Sequence, residues 1–236
     1  NISTPTSTAY TDINMIELSN INLPCIIKPS LSLIGKSGVS LVTDKNSLMP
    51  ALKLAFKTSM NSTISIENYI TGSDVSFISF VKNKEIKLHF LIDEVNSIKE
   101  NGEHQGKGYA IPSKFSKTTI ESKIISLAEK LISFFNIDTS PLNFSCRVST
   151  EGTIFLIEIH LDIGGDLIYD HLIPHACNCD ILLEGLKILT KIKTTNFDIS
   201  FQPSSIIYSH ETSLISDNPF KIHNEKSRQE LEKYFN

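Results

Sequence analysis

The chain alternates between two hydrophobic periods. Short stretches with alternating or continuous apolar residues predict strands at 25–28 (CIIK), 63–70 (TISIENYI), 74–83 (DVSFISFVKN), 85–95 (EIKLHFLIDEV), 143–149 and 153–160 (TIFLIEIH), each bounded by turn residues. Gly35, Lys36, Ser37 and Gly38 fold 31–42 into a hairpin with a lysine at its tip, and Glu151-Gly152 joins the last two strands into another. The clearest helix is 119–137, where Ile120, Ile124, Ile125, Leu127, Leu131, Ile132 and Phe135 form one stripe at helical spacing. Shorter helices are expected at 47–60 after Pro50, after the glycines of 161–174, at 180–192 and, highly charged, at 224–235. Residues 12–20 read as a short helix or connector, and 205–208 as a strand. The polar, glycine-rich stretch 97–115 is expected to be a mobile loop that orders over a substrate. No internal repeat is evident.

Composition narrows the class. A chain of 236 residues, 40% hydrophobic and 20% charged, can bury a core as one large domain or two small ones. The net charge of −4 argues against nucleic-acid binding, which needs a basic face. Uncharged apolar runs are too short for a membrane span. The four cysteines, Cys25, Cys146, Cys177 and Cys179, do not suggest a disulfide framework in a chain this long, so a reducing, cytoplasmic location is expected. Arg147 and Arg228 are the only arginines, which leaves few candidates for a bidentate clamp. The chain opens at Asn1 rather than Met, with no leader-like pattern, and reads as a piece of something longer.

Three features carry candidate chemistry. Lys28 ends an apolar strand shortly before the 35–38 tip; a lysine fixed on a strand can meet a phosphate, and a glycine tip can close over it with backbone N–H groups. In 66–74 (IENYITGSD), a strand edge suits an adenine and the acid a ribose diol, although a hairpin with a surface acid reads equally well. In the 145–160 hairpin, Glu158 and His160 share one face of a strand and Ser145 lies opposite. An acid on an otherwise apolar strand is costly unless it is paired or binds a metal.

The order of these segments resembles the ATP-grasp superfamily over roughly residues 1–185. The segments that carry the resemblance are NISTP at 1–5, LPCIIKPS at 23–30, GKSGVSLV at 35–42, ISIENYITGSDVSF at 64–77 and FLIEIHLDIGGD at 155–166. The resemblance implies an α+β fold of two subdomains with antiparallel sheets gripping a nucleotide cleft. The smaller would take residues 1–70 and the larger 71–200, with 201–236 as an extension. It implies ATP and Mg²⁺ as cofactors and an acylphosphate route from a small-molecule carboxylate and an amine to their amide. Lys28 would contact the phosphates, with Gly35, Lys36, Ser37 and Gly38 as the covering loop. Glu67, Asn68, Tyr69 and Ile70 would form the adenine-reading hinge and Asp74 would hold the ribose. Glu158 would coordinate Mg²⁺ and Arg147 would neutralise the phosphoryl group in transfer. Asp162, Gly164, Gly165 and Asp166 would lie at the substrate.

Three positions depart from the family pattern. Ser145 stands where an acidic metal ligand is usual, His160 where an asparagine ligand is usual, and Asp162 where an arginine holds substrate. Histidine suits Mg²⁺ poorly, because hard cations prefer oxygen. The family also carries a further domain ahead of this region, expected in the same protein or as another chain. A degenerate module that binds nucleotide or a partner without ligase activity is therefore the alternative. A third, weaker reading is a metal site from His160, Asp162, His171, His175, Cys177 and Cys179, with Pro174 interrupting the helical pairing of the two histidines. Two roles are open to the tail: packing on the larger subdomain, or self-association into a homodimer.

Overall fold

The structure is a computed structural model and describes residues 2–32, 36–190 and 203–207. Its strands form two antiparallel sheets, one of four strands and one of six, in the α+β class that the resemblance implies. The four-stranded sheet holds β1 (Ser7–Tyr10), β2 (Cys25–Pro29), β3 (Ser40–Val42) and β4 (Ile64–Asn68), in the order β1-β4-β2-β3. Alternation along β2 buries Cys25, Ile27 and Pro29 and leaves Ile26 and Lys28 on the other face. α1 (Leu48–Thr58) closes the buried side with Leu48, Ala51, Leu52 and Ala55. The Asp44 carboxylate accepts from the Asn46 and Ser47 amides, so the helical run starts ahead of Pro50. Proline then sits in the first turn, where its missing N–H leaves no gap. The hydropathy pattern does not mark β1, because Ser7, Thr8 and Ala9 are exposed. It is a strand through its backbone pairing with β4.

The six-stranded sheet holds β5 (Gly72–Lys82), β6 (Glu85–Ile98), β7 (His104–Ile111), β8 (Ser140–Ser149), β9 (Ile154–His160) and β10 (Ser204–Ile207), in the order β10-β7-β6-β5-β8-β9. One face is covered by α2 (Thr119–Phe134), whose Ile124, Leu127, Ala128, Leu131 and Ile132 pack on Val75, Phe77, Leu91, Phe144, Cys146 and Val148. Burying each such aliphatic side chain contributes about 1.5–3 kcal/mol. α2 ends before the expected 137. Phe135 is 52% exposed rather than part of the stripe, and the chain doubles back so that Ile137 re-enters the core.

Among the described residues the opposite face of this sheet is covered at one end only. There Ile78, Phe80, Phe90, Ile92 and Ile111 pack against a wide helical turn (Ile168–Leu172), α3 (Ile173–Cys177) and α4 (Ile181–Thr190). Pro174 does not interrupt this run as expected: it opens α3, where proline is tolerated. Cys25 and Cys146 are small apolar residues of the two cores, and burial pushes their thiols up to about 11 and about 12.

The expected mobile loop at 97–115 is largely strand. β6 runs on to Ile98 and β7 begins at His104, because this polar stretch pairs its own backbone, Asn96 with Gly106 and Ile98 with His104. The Lys36 side chain of the other sheet comes close to this strand: a Cβ at Gly106 would stand in ordinary contact, 3.6 Å from Lys36 Nζ. The two sheets also meet at β3, where the Leu41 amide donates to Gly102 O at 2.9 Å and the His104 amide to Val39 O at 2.8 Å. The strand expected at 205–208 is β10, paired with β7. The charged helix expected at 224–235 lies outside the described residues. Among the described residues no helix is long and apolar enough to cross a membrane.

Candidate functional site

The half of the second sheet face that no described helix covers carries a connected set of polar side chains. The ladder places Asp74 opposite Arg147 and Ser76 opposite Ser145 on β5 and β8, and paired residues share a face. Arg147 donates from Nε to Asp74 Oδ1 at 2.7 Å, from Nη2 to Asp74 Oδ2 at 2.6 Å, and from Nη1 to the Ile70 carbonyl at 3.1 Å. Its guanidinium also lies over the Tyr69 ring, 5.3 Å from the centroid. Asn96 Nδ2 adds a bond to Asp74 Oδ2 at 2.8 Å. Burial would push the Asp74 carboxyl up, but the hydrogen bonds and charge of Arg147, with Asn96 and Lys36, hold it below the usual range.

A second cluster adjoins it. The Glu94 side chain on β6 is 6% exposed. Its Oε1 accepts from Ser76 Oγ at 2.8 Å and Ser145 Oγ at 2.7 Å. Its Oε2 faces Lys36 Nζ at 3.1 Å, and the same ammonium donates to Asn96 Oδ1 at 2.7 Å. Thus the tip that joins β2 to β3 crosses to the larger sheet and docks there. The tip geometry depends on its glycine: Gly38 has φ +76°, and a Cβ there would stand 1.9 Å from Thr58 Oγ1. Ser37 lies in the same turn, and Gly35 falls outside the described residues. His104 on β7 completes the surroundings. Burial, reinforced by the charges of Arg147 and Lys36 and opposed by those of Asp74 and Glu94, holds its imidazole below the ordinary value.

The remaining expected residues flank these clusters. Lys28, on the face of β2 away from α1, pairs with Glu67 Oε1 at 2.9 Å, and Ser65 Oγ donates to the same oxygen at 3.3 Å. In the hinge the Asn68 amide donates to Thr6 O at 3.0 Å, the Tyr69 amide to Pro24 O at 3.3 Å, and the Ile70 carbonyl is the one held by Arg147. Glu158 sits opposite Ser145, and His160 opposite Asn143. The Glu158 carboxylate is 56% exposed, with His160 Nε2 3.6 Å away. The expectation of a constrained acid at Glu158 is therefore corrected. The buried carboxylate of this face is Glu94.

At the far edge, Asn143 Nδ2 donates to the Asp162 carbonyl at 2.5 Å, and Tyr169 Oη donates to Asn143 Oδ1 at 2.7 Å. Asn143 thereby anchors the turn holding Gly164, Gly165 and Asp166. Tyr109 Oη reaches Asp166 Oδ2 at 3.0 Å. His160, Asp162, His171, His175, Cys177 and Cys179 do not converge: among the described residues no three His, Cys, Asp or Glu side chains are grouped to hold a metal. A hollow of about 320 Å³ lined by Ile2, Ser3, Lys123, Leu127 and Gly152 holds none of the expected site residues.

Motif reading misses Glu94, Asn96, Ser76 and His104. A signal for the first two does exist in β6, where the alternate positions Leu88, Phe90 and Ile92 are buried and the next two are Glu94 and Asn96. The change from apolar to polar on one face marks where the covered half of the sheet ends.

The chain was compared with known proteins. The model of the ATP-grasp domain matches residues 21–170. Among solved structures, an L-amino acid ligase from Bacillus licheniformis superposes with TM-score 0.61 at 16% identity, covering 80% of this chain and 44% of that one. An N5-carboxyaminoimidazole synthetase from Staphylococcus aureus, complexed with ADP, gives TM-score 0.64 at 16% identity, covering 86% and 52%. The VanG D-Ala:D-Ser ligase from Enterococcus faecalis gives 0.60 at 18% identity, covering 81% and 57%. This chain spans about half the length of these structures, and at such identities the likeness concerns the fold. The family match covers more than half of the chain and includes both sheets' central strands: the chain belongs to the ATP-grasp family.

Proposed function

We propose that the chain is the ATP- and Mg²⁺-binding part of a ligase that joins a small-molecule carboxylate to an amine. The observation that carries this reading is the placement of two lysines: Lys28 lies beside Glu67 on the four-stranded sheet, and Lys36 stretches from the tip to Glu94 on the six-stranded sheet. Each ammonium is held by a carboxylate, positioned to meet a polyanion. In this reading Lys28 and Lys36 bind the phosphates, with Gly35, Ser37 and Gly38 closing over them and excluding water. The 67–70 hinge receives the adenine. Asp74 acts through Arg147, tying that hinge to the larger sheet beside the ribose. Asp162, Gly164, Gly165 and Asp166 line the substrate side.

The donors suit Mg²⁺ at one position. Glu158 offers exposed carboxylate oxygens, which a hard cation prefers, while the nitrogen of His160 is a poor ligand for it. Bound Mg²⁺ would supply neutralisation of phosphate charge. The reaction is a displacement in two steps. A carboxylate oxygen attacks the terminal phosphorus and ADP leaves, giving an acylphosphate. The amine nitrogen then attacks the acyl carbon, phosphate leaves, and the amine proton passes to solvent.

The test is ADP release from Mg·ATP with a panel of amino acids and small carboxylates, with hydroxylamine in place of the amine. Carboxylate-dependent ADP release with matching hydroxamate is expected; ADP release independent of any carboxylate overturns the acylphosphate route. The second reading, a module that binds nucleotide without turning it over, is favoured by one observation. Arg147 is turned to Asp74 and Ile70, which take a hydrogen bond from each of its three guanidinium nitrogens, so among the described residues this arginine is held at 70–74 rather than offered to a transferring phosphoryl group. Saturable Mg·ATP binding with no turnover across the panel would select it.

A further inference from the structure

Glu94 is the most buried carboxylate of the candidate site, and its surroundings are unusual. A carboxylate taken out of water needs a cation or a full set of donors. Glu94 has two hydroxyls, Ser76 and Ser145, on one oxygen, and the Lys36 ammonium near the other. Ser76 and Ser145 are fixed on adjacent strands in register. Lys36 instead comes from a turn between strands of the other sheet, and its side chain is 36% exposed. The charge that balances Glu94 is therefore the one part of its environment that a nucleotide would draw away. Once Lys36 turns to a phosphate, Glu94 keeps two neutral donors and loses its ion-pair partner, because the nearby Arg147 charge is paired with Asp74. Ser145 links the two acids: its hydroxyl holds Glu94, and across the ladder it pairs with Glu158, so both carboxylates lie on one face around a single serine.

We propose that Glu94 is a divalent-cation ligand of the nucleotide site, and that Lys36 occupies its place until nucleotide arrives. This rests on the nucleotide-binding reading above. Binding is then an exchange of cations. Lys36 moves from Glu94 to the phosphates, and Glu94 and Glu158 would hold Mg²⁺, which would supply neutralisation of the phosphate charge. Ser145 contributes by aiming the Glu94 carboxylate, which reaches from β6 a position where β8 has only a hydroxyl.

Two measurements on the 236-residue chain test the exchange. In calorimetric titration of ATP over a range of Mg²⁺ concentrations, Glu94→Gln should lose at least about tenfold of the Mg²⁺-dependent tightening. Its affinity for ATP without Mg²⁺ should stay the same or rise, because Lys36 is released. A Glu94→Gln chain that keeps the wild-type Mg²⁺ dependence overturns the proposal. The second measurement needs no nucleotide. Mg²⁺ alone should raise the melting temperature of Lys36→Met, whose Glu94 is uncompensated, and leave that of the Lys36→Met, Glu94→Gln double variant unmoved. Equal Mg²⁺ shifts in the two variants overturn the proposal. A wild-type chain that binds no ATP removes the functional reading, while the melting comparison still decides whether Glu94 takes the metal.

Discussion

At the scale of single residues, the best-held group in the site is Arg147. Its bidentate grip on Asp74 is nearly buried, with side chains 12% and 17% exposed, so its removal leaves a carboxylate with Asn96 as its remaining side-chain donor. Breaking such a pair costs about 3–5 kcal/mol. Arg147→Ala should lower stability by about that amount in chemical denaturation. Arg147→Lys should recover less than half of it, because an ammonium cannot span both oxygens and the Ile70 carbonyl together. Full recovery by lysine would show that charge alone matters. The motif pattern finds Arg147 but suggests a role at the phosphoryl group. Its partners lie on β5 and in the hinge, and only strand pairing brings them within reach. Glu94 shows the same limit from the other side. The alternation of β6 marks its position but not its partners, since Ser76, Ser145 and Lys36 arrive from three separate segments.

At the scale of elements, the legible parts are those whose own periodicity decides them. α2 and β8 pack on one large core, and β5 and β6 bury residues against two, so their patterns are strong; β9 adds the partly buried Ile154, Leu156 and Ile159. β1 and β7 are not legible in that way. β1 is exposed on most positions, and β7 carries glycines and polar residues that face the site; backbone pairing makes both into strands. α4 shows a packing constraint that propensity would misjudge. Alanine is normally worth about 0.5–1 kcal/mol over glycine inside a helix. At Gly185, however, a Cβ would stand 2.1 Å from Phe80 Cζ, and Phe80 is 1% exposed. Gly185→Ala should therefore destabilise by about 1–3 kcal/mol in thermal or urea melts. A stabilised variant would mean that α4 does not press on β5 this closely.

At the scale of the whole molecule, two sheets with separate cores meet through a few polar contacts. Arg147 ties the larger sheet to the hinge, β3 meets the 102–104 backbone, and Lys36 reaches Glu94 and Asn96. The apolar cores fix each sheet, while one of the contacts between them, Lys36 with Glu94 and Asn96, is made by a group that a polyanion can attract. This division explains why most strands and helices are readable from hydrophobic pattern and the site only in part. Lys28, Lys36, Glu67 and Glu158 are carried by local motifs, whereas their partners come from tertiary pairing.

The central claim is that Mg·ATP binds between the sheets at the strand-borne lysine. Calorimetric titration of Mg·ATP into the wild-type chain and Lys28→Met addresses it most directly. Charge-assisted bonds of this kind are worth about 1.5–3 kcal/mol, so saturable one-to-one binding that weakens at least about tenfold in Lys28→Met is predicted. No binding by the wild type, or equal affinity in both proteins, would contradict the account.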